Sequence, residues 1–160
     1  MFQKILIAIG DTPDSAQIAE SGLVLAEKFG AEILFVHVIN PGTINGFETI
    51  GTPLMGGIMP MTNDLAIETY LKQSQDTERR GIELLQFYAK QAVDRHQQVN
   101  VLQNIGNSGV MICEAAKNWV ADAILLGRNQ KSVLSEIFLG STSNYVLHHA
   151  LCSVITIHLN

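Results

Sequence analysis

The chain begins with two nearly continuous apolar runs that are separated by a helical pattern. These runs constrain the possible folds more than any other feature of the sequence. The first run spans Lys4–Ile9 and the second spans Glu32–Val38. Runs without polar alternation indicate strands that are buried on both faces, as in parallel sheets. Between them, apolar residues recur at helical spacing from Ile18 to Phe29, and Gly30 marks the helix end. Residues 1–38 therefore predict a right-handed βαβ unit.

The same alternation continues along the rest of the chain. Helical patterns are predicted over residues 63–97, 108–120 and 141–150, and strand patterns over 99–105, 123–126 and 152–159. Thr12 is predicted to be the N-cap of the first helix, with Pro13 at its first position. The order β-α-β-α-β-α-β-α-β predicts an α/β fold, an open parallel sheet with helices on both faces, as one domain over residues 1–160.

Residues 40–62 interrupt this alternation. They are rich in glycine, proline, methionine and threonine, and they show no usable periodicity. Structureless segments beyond about 12–15 residues are uncommon in compact domains and are usually functional or disordered. The segment is therefore predicted to be a long flexible loop and a candidate lid or interaction surface.

Composition and charge exclude several classes of protein. The chain has 160 residues, 47% of them hydrophobic and 16% charged, as expected of a globular domain. A net charge of −5 without a basic cluster argues against a nucleic-acid surface. No apolar run reaches the roughly 20 residues of a membrane span, and no secretory signal is recognised. Cys113 and Cys152 are isolated and fit free thiols in a reducing compartment, so a cytoplasmic location is expected.

Small residues stand at both ends of a segment that follows the apolar run Ala123–Leu126. Gly127 comes directly after the run, and Gly140, Ser141 and Thr142 stand at the start of the next predicted helix. Glycine lets a backbone approach an anion closely, and the N–H groups at a helix start carry positive partial charge. The pattern predicts a phosphate site. The simpler alternative is a strand end at Gly127 and a helix cap at Ser141.

The first predicted strand ends at the same edge of the sheet as the fourth. In such folds ligands bind beyond the carboxyl ends of the strands, where the strand order reverses. We therefore expect the segment Ile9-Gly10-Asp11-Thr12 to meet Gly127 there. Asp11 carries a charge that is favoured at a helix start. Thr12 also fits a plain helix cap.

Motifs of catalysis are missing from the sequence. There is no Gly-x-Ser-x-Gly, no His-Glu-x-x-His and no Gly-Lys-Ser/Thr. His148 and His149 are consecutive and face different ways on a helix, so they are not a metal pair. We expect no catalytic and no metal-ligating residues, and a regulatory protein is favoured over an enzyme.

The chain resembles the universal stress protein family over nearly its whole length. The opening run Lys4–Ile9, the segment Ala121–Gly127 and the tail His149–Ile157 are similar to that family's pattern. ATP-binding members carry Gly, two residues, Gly, nine residues, Gly, then Ser or Thr, and Gly127, Gly140 and Ser141 match this signature.

The resemblance implies a Rossmann-like sheet of order 3-2-1-4-5 that binds ATP or AMP, with Mg²⁺ as counter-charge. It also makes dimerisation a common outcome, and we expect a homodimer through the edge strand Cys152–Leu159. The expected nucleotide-binding residues are Ile9, Gly10, Asp11, Thr12, Val38, Gly127, Arg128, Gln130, Gly140, Ser141 and Thr142.

Two positions depart from the family pattern. Gln130 replaces the second signature glycine, and Gly10 stands where the family usually has an Asp that helps to hold the nucleoside, with Asp11 one residue later. Asp11 is therefore either the nucleoside-binding acid that the resemblance implies or only a charge at a helix start. An alternative of the same fold is therefore a dimeric interaction module that binds no nucleotide, and a weak ATPase is a further alternative.

Overall fold

The alternation of strands and helices predicted from the sequence is present in the computed structural model, which describes residues 2–41, 64–128 and 140–158. Most of the predicted loop 40–62, together with Gln130 and Leu159, lies outside these described residues. In chain order the elements are β1 (Lys4–Ala8), α1 (Ser15–Phe29), β2 (Glu32–Ile39), α2 (Asp64–Asp94), β3 (Val99–Ile105), α3 (Ser108–Trp119), β4 (Ala123–Arg128), α4 (Ser141–His149) and β5 (Ser153–His158).

The five strands form one parallel sheet of order β3-β2-β1-β4-β5, which confirms the predicted order. β1 lies at the centre, where Ile5 is in register with Ile33 of β2 and with Ala123 of β4. β3 and β5 are the two edges. Val101 and Ile105 of β3 are exposed.

The two strands that pair with β1 separate from it at different residues. Pairing with β4 ends at Ile7–Leu125, whereas pairing with β2 reaches Ala8–Val36. The N–H of Ile9 still donates to the carbonyl of Val36 at 2.9 Å. A crevice therefore opens between β1 and β4 at the point where the strand order reverses, which is where such sheets bind ligands.

Two apolar cores, one on each face of the sheet, hold the layers together. Helices α1 and α2 bury Leu23, Ala26, Leu85 and Tyr88 against Ile7, Ile33 and Phe35. On the opposite face, α3 and α4 bury Ile112, Ala115, Ala116 and Val146 against Leu6, Leu34, Val36 and Ile124. Because alternate residues of each strand point to opposite faces, the continuous apolar runs supply both cores.

Ile82 of α2 continues the helical spacing of Leu85 and Tyr88 and would be expected to face the core with them, but its side chain is 45% exposed. The neighbouring Gly81 takes the position against the sheet. A Cβ added there would lie 2.6 Å from Nδ1 of His37 and 2.1 Å from Oε1 of Gln103. Successive helical residues are rotated by about 100°, so Ile82 turns away.

The predicted start of α1 is also wrong. The helix begins at Ser15, with Asp14 as the N-cap residue, and Thr12 and Pro13 lie in a preceding turn. The carbonyl of Thr12 accepts from the N–H of Ser15 at 3.1 Å, which closes this turn. The side chain of Ser15 folds back onto Gly10 and holds the chain in the turn before the helix begins.

None of the helices described in the three ranges is long and apolar enough to cross a membrane.

Candidate functional site

A cavity of about 270 Å³ lies at the carboxyl ends of the strands, in the crevice between β1 and β4. Six of the residues predicted from the sequence line it: Ile9, Gly10, Thr12, Val38, Gly127 and Thr142. They come from the ends of β2 and β4, from the segment that follows β1, and from the start of α4. The fold therefore brings together residues that are more than a hundred positions apart in the chain.

The turn between β1 and α1 forms one wall of the cavity and is held by Ser15. The Ser15 hydroxyl donates to the carbonyl of Gly10 and accepts from the N–H of Gly10, the latter at 3.2 Å. Its oxygen also lies 3.4 Å from Oγ1 of Thr12. Ser15 is fully buried. One hydroxyl thus fixes both backbone groups of Gly10 at the rim of the cavity.

The two acids of this turn are placed differently. Asp11 is exposed and lies outside the residues that line the cavity, whereas Asp14 lines it. Asp14 was not singled out from the sequence, because the predicted N-cap at Thr12 placed it inside the helix. Among the described lining residues, Asp14 carries the only charged side chain.

The start of α3 forms a second wall that sequence reasoning missed. Ser108 and Ile112 line the cavity from this helix. Asn107 caps it, since its Oδ1 accepts from the N–H of Val110 at 3.2 Å. The sequence Asn107-Ser108 before an apolar helical stripe is an N-terminal signal, but only the folded chain shows that it faces the cavity.

The start of α4 forms the third wall. Thr142 lines the cavity, and Gly140 precedes the helix with φ 74°, a left-handed conformation that favours glycine. Gly140 and Ser141 are exposed and are not among the lining residues. Helices α3 and α4 thus both direct their N-terminal ends, which carry positive partial charge, towards one space.

Arg128 ends β4 directly after Gly127. Its Nε is buried and has no hydrogen-bond partner within the described ranges. Buried donors of this kind are normally paired. Arg128 is not among the described residues that line the cavity. Gln130, two residues further on, lies outside the described residues.

The strand ends give the cavity an apolar wall, formed by Ala8, Val36, Val38, Leu126 and, from α3, Ile112. Backbone groups, hydroxyls and a single carboxylate complete the lining. Such a site can hold a ligand that has an apolar ring at one end and an anionic group at the other. In the described ranges, no three His, Cys, Asp or Glu side chains gather as metal ligands would.

A larger cavity of about 510 Å³ lies at the opposite, amino-terminal edge of the sheet. It is lined by polar residues such as Gln3, Glu27, Arg95 and Gln98, and by none of the predicted site residues. We place the candidate site in the smaller cavity, because it lies at the switch in strand order and combines helix N-termini with an apolar wall.

The fold and this cleft define an open, doubly wound α/β protein with a cavity at its topological switch point. Residues 1–158 match the Universal stress protein family, and the chain belongs to that family. It is 29% identical to universal stress protein Sll1388 of Synechocystis sp. over 156 residues, which are 98% of this chain and 97% of the relative.

Solved structures share the fold. A universal stress protein in complex with cAMP superimposes with a TM-score of 0.66 at 14% identity, over 99% of both chains. A universal stress protein family protein from Arabidopsis thaliana with AMP bound gives a TM-score of 0.64 at 18% identity, over 99% of this chain and 92% of the other. At these identities the likeness establishes the fold alone.

Proposed function

We propose that this protein binds an adenine nucleotide, ATP or AMP, in the cavity between β1 and β4. The convergence of Gly10, Val38, Gly127 and Thr142 on one cavity carries the proposal. Two proteins of the same fold are described with cAMP or AMP bound, which supports the choice of ligand class.

In this proposal the base lies against the apolar ends of β1 and β2, near Val38. The phosphates lie at Gly127 and at the start of α4, where Gly140, Ser141 and Thr142 offer backbone N–H groups and hydroxyls. Arg128 contributes its unpartnered Nε. Mg²⁺ would be held mainly by the phosphates of a bound triphosphate and would neutralise part of their charge.

The role we assign is regulatory, in the stress response and without catalysis as its main task. Ligand binding would alter the surface or the assembly of the protein. Cys113 and Cys152 are free thiols, and burial raises the pKa of both. Free thiols fit the reducing cytoplasm, where we place this role.

Thermal unfolding tests the proposal. Millimolar ATP, AMP or cyclic AMP, each with Mg²⁺, should raise the Tm, because a ligand at 100 times its Kd adds about 2.7 kcal/mol of stability. Val38→Phe should abolish the shift by filling the cavity. Val101→Phe, on the exposed face of β3 away from the cavity, is the matched control and should keep it.

A second measurement uses the protein as purified. Denaturation should release adenine nucleotide if the site is occupied in the cell. No released nucleotide and no Tm shift with any of the three ligands would reject the proposal. That result would instead favour the dimeric interaction module without a nucleotide.

A further inference from the structure

Ser15 is a buried polar residue whose hydroxyl bonds to the turn before helix α1. The hydroxyl donates to the carbonyl of Gly10 and accepts from the N–H of the same residue at 3.2 Å. The hydroxyl oxygen of Thr12 lies 3.4 Å away. Gly10 and Thr12 line the candidate cavity, whereas Ser15 is fully buried and is not among the described lining residues. Ser15 can therefore act on the cavity only through these two residues.

The chain offers two places at which α1 can begin. Thr12 followed by Pro13 is a favourable start, because threonine is a good N-cap and proline suits the first helical position. The folded chain uses a later start, at Ser15, with Asp14 as the N-cap residue. Asp14 makes no side-chain cap, and its φ of −72° and ψ of −15° are not the extended dihedrals that capping requires. Local capping therefore does not explain why the later start is used.

The hydrogen bonds of the turn supply the explanation. The carbonyl of Thr12 accepts from the N–H of Ser15 at 3.1 Å, whereas a helix that continued from Thr12 would use the N–H of Ala16 for that carbonyl. The Ser15 hydroxyl then reaches back five residues and bonds to Gly10. Because a buried hydroxyl needs such partners, these bonds favour the tight turn over the earlier helix start.

We propose that Ser15 is a positioning residue of the nucleotide site, whose hydroxyl selects the later helix start and so keeps Gly10 and Thr12 in the cavity wall. The inference rests on the proposed nucleotide function. Since Ser15 engages the N–H of Gly10, that residue gives the site its shape and no backbone donor. Without the hydroxyl, α1 begins at Thr12 in part of the molecules, and the remaining fraction limits the affinity for the nucleotide.

The effect on the turn is measured by NMR without a ligand. Ser15→Ala removes the hydroxyl, and Ser21→Ala is the matched control, because the Ser21 hydroxyl of the same helix donates to the carbonyl of Gln17 at 2.8 Å, away from the cavity. In Ser15→Ala the N–H of Gly10 should exchange with solvent about tenfold faster, as expected for the loss of one hydrogen bond. The backbone chemical shifts of residues 11–14 should move towards helical values. Ser21→Ala should change neither quantity.

Calorimetric titration of AMP then measures the effect on the site. Ser15→Ala should weaken AMP about tenfold if the competent conformation falls to about one molecule in ten, whereas Ser21→Ala should bind as the unmodified protein does. Ser15→Cys keeps the side-chain volume with a much weaker hydrogen-bonding group, and it gives the same comparison if Ser15→Ala does not fold.

Two results would overturn the inference: an unchanged exchange rate at Gly10, or an unchanged AMP affinity in folded Ser15→Ala. A residue that only stabilises the fold would lower the Tm and leave both quantities unchanged. If AMP does not bind to the unmodified protein either, the proposed function fails and the inference fails with it, and faster exchange at Gly10 would then show a role of Ser15 in the turn alone.

Discussion

Gly109 of α3 and Tyr145 of α4 approach so closely that a side chain at residue 109 has no room. A Cβ added to Gly109 would lie 2.7 Å from Cδ1 and 2.8 Å from Cβ of Tyr145. The Tyr145 ring cannot easily retreat, because it stacks on His149 with ring centroids 3.9 Å apart. This contact holds the starts of α3 and α4 side by side, and both helices line the cavity.

Gly109→Ala should therefore destabilise the protein. Alanine gains up to about 1 kcal/mol in helix propensity, but overpacking costs about 1–3 kcal/mol and should dominate. Urea unfolding measures the difference. Asn118→Ala, at an exposed position of the same helix, should stay within about 0.5 kcal/mol of the unmodified protein. A stabilised Gly109→Ala variant would show that the helices can separate at no cost.

Substitution of Gly10, which lines the candidate site, should not destabilise the protein. A Cβ there would meet only Cγ2 of Thr12, at 3.8 Å, and the backbone is not left-handed. Gly10→Ala should be neutral or stabilising by about 0.4–1 kcal/mol, because it restricts the unfolded chain. Gly30→Ala is the contrasting variant, because Gly30 has φ 63°, where alanine is strained. This variant should lose about 1–2 kcal/mol in the free energy of unfolding. A large loss for Gly10→Ala would show that the turn needs glycine.

Gln130→Gly should restore the second signature glycine and strengthen phosphate binding. We expect ATP to gain more affinity than AMP, because only the outer phosphates require the closer backbone approach. Titration of both nucleotides into both proteins gives the comparison. Equal gains for ATP and AMP, or a weaker ATP affinity, would contradict the assignment of residue 130 to the phosphate site.

We predict a homodimer through β5, which is an edge strand of the sheet. Ser153 donates its N–H to the carbonyl of Asp122, towards β4. Backbone groups alternate sides along a strand, so the N–H of Thr156 points outward and that of Ile155 points to β4. Thr156→Pro removes an outward donor and should give a monomer, whereas Thr156→Ala keeps the donor and the dimer.

Light scattering at tens of micromolar measures this assembly. A monomeric unmodified protein, or a Thr156→Pro variant that remains dimeric, would count against the β5 interface. Ile155→Pro is less informative, since it breaks the pairing with β4 and should lower the stability of each subunit.

Protonation of the Asp122 carboxylate should lower the stability of the folded protein at acid pH. Its Oδ2 accepts from the N–H groups of Gln3 at 2.8 Å and Lys4 at 2.9 Å, and these bonds lower the pKa of the carboxyl. A lowered folded pKa gives stability that is present above the unfolded value near 4 and is lost as pH falls below it. Asp122→Asn should therefore lose less stability than the unmodified protein between about pH 5 and pH 2.

The control for this pH dependence is Asp76→Asn, a change at an exposed charge on α2. It should follow the unmodified protein closely through the same pH range. The stability of Asp122→Asn could instead fall with pH just as that of the unmodified protein and of Asp76→Asn does. In that case the two backbone hydrogen bonds of Asp122 contribute nothing to the dependence of stability on pH.

The sequence by itself determined the element order and the parallel sheet, and it predicted that the end of β4 and the start of α4 belong to one candidate site. Continuous apolar runs such as Lys4–Ile9 can be satisfied only by strands covered on both faces, and this condition is local to each run. Glycines and hydroxyls after a strand likewise mark a helix start without knowledge of the neighbours. Gly127 and Thr142 could therefore be assigned to one site from pattern alone.

The tertiary structure decided which side chains reach the cavity. Asp11 and Asp14 are both acids of one turn, and the hydrogen bonds of Ser15 to Gly10 select the second. Ser108 joins the site because Gly109 allows α3 to pack against Tyr145. These outcomes depend on hydrogen bonds and steric contacts between residues that can be tens of positions apart in the chain. Periodicity and capping patterns depend only on residues that are close together in the sequence, so they cannot predict such contacts.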